Sequence, residues 1–430
     1  MQSSRLLLAL LAVTPMATSA GCRCGSHPRA RSEPPLSSVS QTSLDAGDGY
    51  AKAAAIMAAF ADRTGLTSER REQRYLWTDA FAVCNYLGLA HATGEAHYAE
   101  LAQKLVDRVH HSLGRRRSDD PRTGWISGLD AQQGEAHPTR GGLRIGKDLP
   151  ERRPDEPFDA ELEWERDGQY FHYLTKWMVA LDQTTRSTGK AAFNAWGREL
   201  AETAHRAFVY PVDGGVRRRM YWKMSIDLSR PLVRSMGQHD ALDGYVTCAQ
   251  LRATANGQEG SDGGPVLDEA AADFESMIER DGLETTDPLG LGGLMADAFR
   301  LAQLAEQGAP VDVRLKDDLL DAALGGLESY ARQGELEEPA EHRLAFRELG
   351  LAIGLHAVAA MRQSAAGGPV LGRLGAYDPL RAKIIAFWLE PEHQKASTWT
   401  DHRDINEVML ATALAPDGFL VLRALSHERP

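Results

Sequence analysis

Asp167-Gly168-Gln169-Tyr170-Phe171-His172-Tyr173-Leu174-Thr175-Lys176-Trp177-Met178-Val179-Ala180-Leu181 is the stretch on which the fold turns. It opens with an acid, rings and a histidine. It then runs into a helical pattern whose large apolar residues, Phe171, Tyr173, Leu174, Trp177, Met178 and Leu181, leave little room for a wet face. The next segment, 190–210, is different. Phe193, Trp196, Leu200, Ala204, Ala207 and Phe208 form one apolar stripe, with polar residues opposite. One helix is therefore expected to be surrounded by protein and the next to be half exposed. The short connection Ser187-Thr188-Gly189 makes the two antiparallel neighbours.

That alternation extends along the chain. Helical periodicity marks segments near 50–63, 75–93, 95–114, 167–188, 190–210, 239–256, 266–281, 287–307, 312–333, 341–363, 378–390 and 401–414, and strand signals are almost absent. Acidic, histidine or aromatic residues recur at the starts of nearly every second segment: Trp77-Thr78-Asp79, His239-Asp240-Ala241-Leu242-Asp243 and Thr400-Asp401-His402-Arg403-Asp404. The segments between start with ordinary polar residues. In 95–114, Tyr98, Leu101, Leu105, Val109 and Leu113 make a plain amphipathic stripe. Six inner and six outer helices predict an all-α (α/α)6 barrel over residues 49–430, with chemistry gathered where the inner helices begin. The long irregular segments 115–166 and 211–238 both lead into inner helices, so they are expected on that same rim, and long loops in a compact fold are usually functional.

Composition narrows the partners. The chain has 430 residues, 43% of them apolar, and a formal charge of −12, which argues against nucleic acid or an anionic membrane surface. Arg5, the apolar run Leu6 to Val13 and the small residues up to Gly21 read as an export signal over 1–21. Ser19-Ala20-Gly21-Cys22 resembles a lipoprotein box with Ser19 in the usual leucine position; Cys22 is the expected lipidation site, with cleavage after Ala20 as the alternative. Residues 22–48 read as a disordered tether. These features predict an extracytoplasmic protein that meets a membrane only through a lipid anchor. Cys84 and Cys248 lie in apolar helical patterns and are expected as buried free thiols. No ligand spacing implies a metal, and no cofactor is predicted. Gly141 to Lys147 imitates a phosphate loop, but Asp148 stands where Ser or Thr is needed and no strand precedes it.

The alternation, the inner-helix starts and the rim loops together resemble the six-hairpin glycosidase-like superfamily over roughly residues 50–414. The resemblance is architectural. It implies a saccharide cleft at the inner-helix N-termini, as found in hydrolases, lyases and epimerases alike, and it fixes no reaction.

Candidate residues follow from the chemistry. Glycoside hydrolysis needs a proton-donating carboxylic acid and a second carboxylate. Asp79, Asp167, Asp240 and Asp243 all stand near inner-helix starts, where aspartate is also a favoured helix cap. Asp240 and Asp243 share one face with His239, and a second acid three residues on is not needed for a cap. One of them is expected to pair with Asp79 or Asp167. His172 and His239 could instead abstract a carbon-bound proton in an epimerase or lyase. Trp77, Tyr170, Tyr221 and Trp222 are candidate platforms for sugar rings. Arg144 and Lys223, with Lys147 and Arg230, could pair with a uronate or sulfate; His402 and Asp404 complete the expected contacts. The leading expectation is an exported glycoside hydrolase. An epimerase or lyase, or a glycan-binding lipoprotein without a working acid pair, is the alternative.

Overall fold

Leu76 to Leu89 are buried without interruption, whereas the following helix buries only Ala102, Leu105, Val106, Val109, His110 and Leu113, one face of six residues. This difference sorts the helices into two layers. The computed structural model describes residues 46–258, 263–364 and 368–424. The export signal, Cys22 and the tether up to residue 45 lie outside them.

The twelve principal helices of the described residues are α1 Ala46–Arg63, α2 Leu76–Thr93, α3 Ala96–Leu113, α4 Phe171–Thr188, α5 Ala191–Phe208 and α6 Asp240–Asn256. They continue with α7 Asp268–Ser276, α8 Pro288–Glu306, α9 Val313–Gln333, α10 Ala345–Gln363, α11 Asp378–Leu389 and α12 Arg403–Leu414. Helix α2 touches α4, α4 touches α6, and contacts pass through α8, α10 and α12 back to α2. Each of these has a partner outside: α3 on α2, α5 on α4, α7 on α6, α9 on α8, α11 on α10, and α1 on α12. The arrangement is toroid-like, closed by the first long helix packing on the last. Helix α1 starts at Ala46, so residues 46–48 of the expected tether are helical; the Tyr50 hydroxyl ties this helix to Asp417 at 2.9 Å.

The ends of the toroid differ. At the end away from the inner N-termini, residues 415–423 turn inward. Phe419 stacks on Phe81 with ring centres 4.5 Å apart. Gln183 donates to the carbonyls of Gly418 and Val421, Gln303 to Leu420 and Gln307 to Leu422, at 2.9–3.1 Å. A Cβ on Gly418 would stand 2.0 Å from the Cys84 carbonyl oxygen and 2.7 Å from the Gly88 amide nitrogen, both backbone atoms that cannot swing away. Gly418→Ala is therefore expected to cost about 1–3 kcal/mol, read as a lowered denaturation midpoint.

The rim segments are where the structure departs from expectation. They hold two small antiparallel sheets: Gln169–Tyr170 (β1), Lys223–Met224 (β4) and Pro231–Val233 (β5) in the order β1-β4-β5, and Val209–Val212 (β2) with Arg217–Met220 (β3). Strands of two to four residues are too short to show a period of two, so no sequence signal announced them. The helix expected from residue 167 begins at Phe171, because Gln169 and Tyr170 pair with Met224 and Lys223 instead. Asp167 is thus not at a helix start. The last expected helix begins at Arg403, leaving Asp401 behind a short turn of helix, Ser397–Thr400. Cys84 and Cys248 are buried free thiols.

Candidate active site

All six inner helices lead into one basin. A cavity of about 850 Å³ is lined by Trp77 and Asp79 from α2, His172 and Tyr173 from α4, Leu289 from α8, Phe346 and Arg347 from α10, and residues 400–405 at α12. A second, of about 450 Å³, reaches from His239, Asp240 and Asp243 of α6 down to Asp297 and Arg300 of α8, with Phe419 among its walls. Trp77, His172, Leu289 and Arg347 line both, so the two cavities adjoin.

The acids at the helix starts are mostly not caps. Of the six inner helices, only α8 has an ordinary one: Asp287 accepts from the Gly290 amide at 2.9 Å, with Pro288 following. Asp79 and Asp240 instead sit inside the first turn and reach back, Asp79 to the Tyr75 amide at 3.0 Å and Asp240 to the Gly237 amide at 3.0 Å. Both are buried, with 1% and 5% exposure. Burial pushes the Asp79 carboxyl up to about 6, against the pull of Arg74, whose guanidinium is 3.2 Å away. Burial and the neighbouring Asp243 charge push Asp240 up to about 7, against the Gly237 hydrogen bond.

Asp243 has the opposite character. Burial works to raise it, but the Lys176 ammonium lies 3.0 Å from both its oxygens and holds it below the ordinary carboxylate range. Deeper in the basin, burial and Asp243 raise Asp297 to about 6, although Arg300 donates to it at 2.9 Å. Burial lowers His172 to about 4, opposed by Asp243, so its imidazole is neutral at pH 7. His239 and His402 are lowered by burial as well, and His239 lies 2.9 Å from the Leu283 carbonyl.

The other residues singled out in the sequence divide sharply. Trp77 and Trp222 line the basin, as do His402 and Asp404, the last held by Arg63 at 2.7 Å. Asp167 does not. It is fully buried behind the wall and accepts from Arg117, Arg144, the Gly146 amide and its neighbour Gly168, all at 3.0–3.1 Å. Arg144 touches the basin, but its guanidinium is spent on Asp167 and the carbonyls of Ser112 and Arg115. Lys223 is wholly buried, donating to the carbonyls of Glu163 and Arg166 and lying 3.1 Å from the Glu163 carboxylate. Tyr170 is packed among Trp164, Tyr173 and Trp222, and Tyr221 is stacked on Tyr210 at 4.2 Å; neither lines the basin. Arg230 donates to the Arg152 carbonyl. Lys147 does reach the basin, its ammonium 5.5 Å from the Trp164 ring and lowered by burial.

Lys176, Asp297, Arg300 and Arg347 were not singled out. The signal was present: each is a charge inside a helix otherwise buried nearly all round, and such a charge must be paired or face a cavity. Among the described residues, no group of three or more His, Cys, Asp or Glu side chains is arranged to hold a metal ion. No helix there is long and apolar enough to cross a membrane.

The helical-toroid fold is shared with a solved structure of very different sequence. A GH76 α-mannanase of Bacteroides thetaiotaomicron superposes with a TM-score of 0.52 at 10% identity, covering 87% of this chain and 97% of that one. A sugar epimerase from a ruminal bacterium gives a TM-score of 0.45 at 11% identity over 82% and 90% of the two chains. The cellobiose 2-epimerase of Spirochaeta thermophila gives 0.46 at 11% over 86% and 98%. No protein-family model matches the sequence, and no curated protein does.

Proposed function

We propose that this protein is an exported carbohydrate-active enzyme with an (α/α)6 barrel, and that it hydrolyses a glycosidic bond in the basin at the inner-helix N-termini. The observation that carries this reading is the pair Asp240 and Asp243. They stand three residues apart on α6 and line the same cavity, and their surroundings push their pKa values in opposite directions. Two carboxyls whose surroundings push their pKa values apart are the arrangement that acid–base catalysis uses. Asp240 gives its proton to the leaving oxygen as the glycosidic C–O bond breaks, and takes one back from the water that adds to the anomeric carbon. Asp243, kept ionised by Lys176, stabilises positive charge as it develops on the sugar. Trp77 and Trp222 offer rings to the substrate.

A screen of oligosaccharides with product analysis tests the reading, the expected product being a new reducing end. The pH profile supplies a second check. A donor that loses its proton near pH 7 predicts that kcat/KM falls as pH rises through about 7.

One observation favours a second reading, proton abstraction by a lyase or epimerase. His172 is neutral at the junction of the two cavities, its ring 4.7 Å from that of Tyr173, whose hydroxyl lies 2.7 Å from the Tyr75 hydroxyl. A histidine base is lost by protonation, so in that case activity persists above pH 7 and falls only as pH drops toward about 4. The product is then an unsaturated sugar or an inverted stereocentre.

A further inference from the structure

Two arginines in the basin wall are half used, and in the same way. Arg347 ties Nη1 to Asp287, and Arg300 ties Nη1 to Asp297. In both, Nε and Nη2 are buried without a hydrogen-bond partner, although each residue is only 2–3% exposed. These two nitrogens form one edge of the planar guanidinium, the edge whose parallel N–H groups fit both oxygens of a carboxylate. A buried, charged donor pair left open costs stability, so the position is explained by something that closes it.

The same helix start provides the comparison. Arg343, four residues before Arg347, presents its Nε and Nη2 to Glu348 at 2.8 and 2.6 Å, the edge filled by a carboxylate of the protein itself. Among the described residues, no carboxylate reaches the corresponding edge of Arg347. That residue lines both cavities between Trp77, His172 and Leu289, next to the proposed reaction centre. Arg300 repeats the pattern deeper, with its guanidinium 4.6 Å over the Phe419 ring. Of the four cations expected from the sequence to take an acidic sugar, Arg144, Lys223 and Arg230 are occupied by the protein, and Lys147 reaches the larger cavity.

We infer that the substrate is an acidic saccharide, and that a uronate carboxylate docks in plane on the Nε–Nη2 edge of Arg347. This rests on the reading of the basin as a saccharide cleft and narrows it to one substrate class. The acidity of the whole chain is no obstacle, because the ligand meets a buried fork and not the surface.

The test is calorimetric binding to the purified protein. The probes are oligogalacturonides, alginate oligosaccharides and glucuronoxylan fragments, each beside its carboxyl-reduced, neutral counterpart, together with a sulfated galactan oligosaccharide that carries no uronate. The expected result is that at least one uronate probe binds at least tenfold more tightly than its reduced counterpart. Arg347→Lys is expected to weaken that binding roughly ten- to a hundredfold, since a point charge replaces the fork while Asp287 keeps a cationic partner. An unchanged thermal midpoint in Arg347→Lys shows that the loss belongs to the site and not to the fold. Should Arg347→Lys unfold, the acid-to-neutral preference of the unaltered protein decides alone. Equal binding of acid and neutral probes overturns the inference and leaves the saccharide cleft standing. A preference for the sulfated probe overturns the carboxylate assignment. Binding of no saccharide of any kind overturns both this inference and the functional reading beneath it.

Discussion

Asp240→Asn is expected to lower kcat by about 100- to 10,000-fold on a natural glycan while leaving the fold intact, the range over which a positioned general acid acts. The amide is nearly isosteric with the carboxyl and can still accept from the Gly237 amide, so the first turn of α6 keeps its geometry. What it cannot do is deliver a proton. An aryl glycoside with a strongly acidic phenol leaves without protonation, so the deficit should largely disappear on that substrate. The limb of the pH profile near 7 should vanish together with the natural activity. Full activity in Asp240→Asn would remove this residue from the chemistry and shift attention to His172, whose replacement by Gln is then the decisive variant.

Asp167→Ala is expected to act in the opposite way, lowering unfolding free energy by about 3–5 kcal/mol. Asp167 is fully buried, and its two arginine partners are themselves mostly buried, with side-chain exposures of 13% for Arg117 and 15% for Arg144. Removing the carboxylate takes a buried acid partner from both guanidinium groups, which keep only their other acceptors, and strands the Gly146 and Gly168 amides. The rim between residues 115 and 170 loses its central anchor. A denaturant titration reads the loss as a lower midpoint. An unchanged midpoint with abolished turnover would place Asp167 in catalysis instead.

These two aspartates show how far the sequence could be read. Both looked like acids at the head of an inner helix. For Asp240 that was correct, because α6 starts there and its first turn faces the basin. For Asp167 the same pattern misled: a two-residue strand pairs Gln169 and Tyr170 with Met224 and Lys223, and so delays the helix to Phe171. The partners that settle the roles are also far away in the chain. Lys176 reaches Asp243 across 67 residues, and Arg117 reaches Asp167 across 50. Trp222 lines the basin while its neighbours Tyr221 and Lys223 face elsewhere, because alternate residues of an extended segment point to opposite sides.

The sequence by itself determined the helices and their sorting into layers. Burial all round or on one face is written in the local spacing of apolar residues, which 3.6-residue periodicity converts directly into geometry. Only the tertiary structure decided which charges are spent and which are open. Arg144 and Arg347 are the same side chain in one-dimensional text, yet three acceptors surround the first and an unfilled edge remains on the second. Whether a buried charge is paired depends on residues brought together from distant segments, and that information exists only once the toroid has closed.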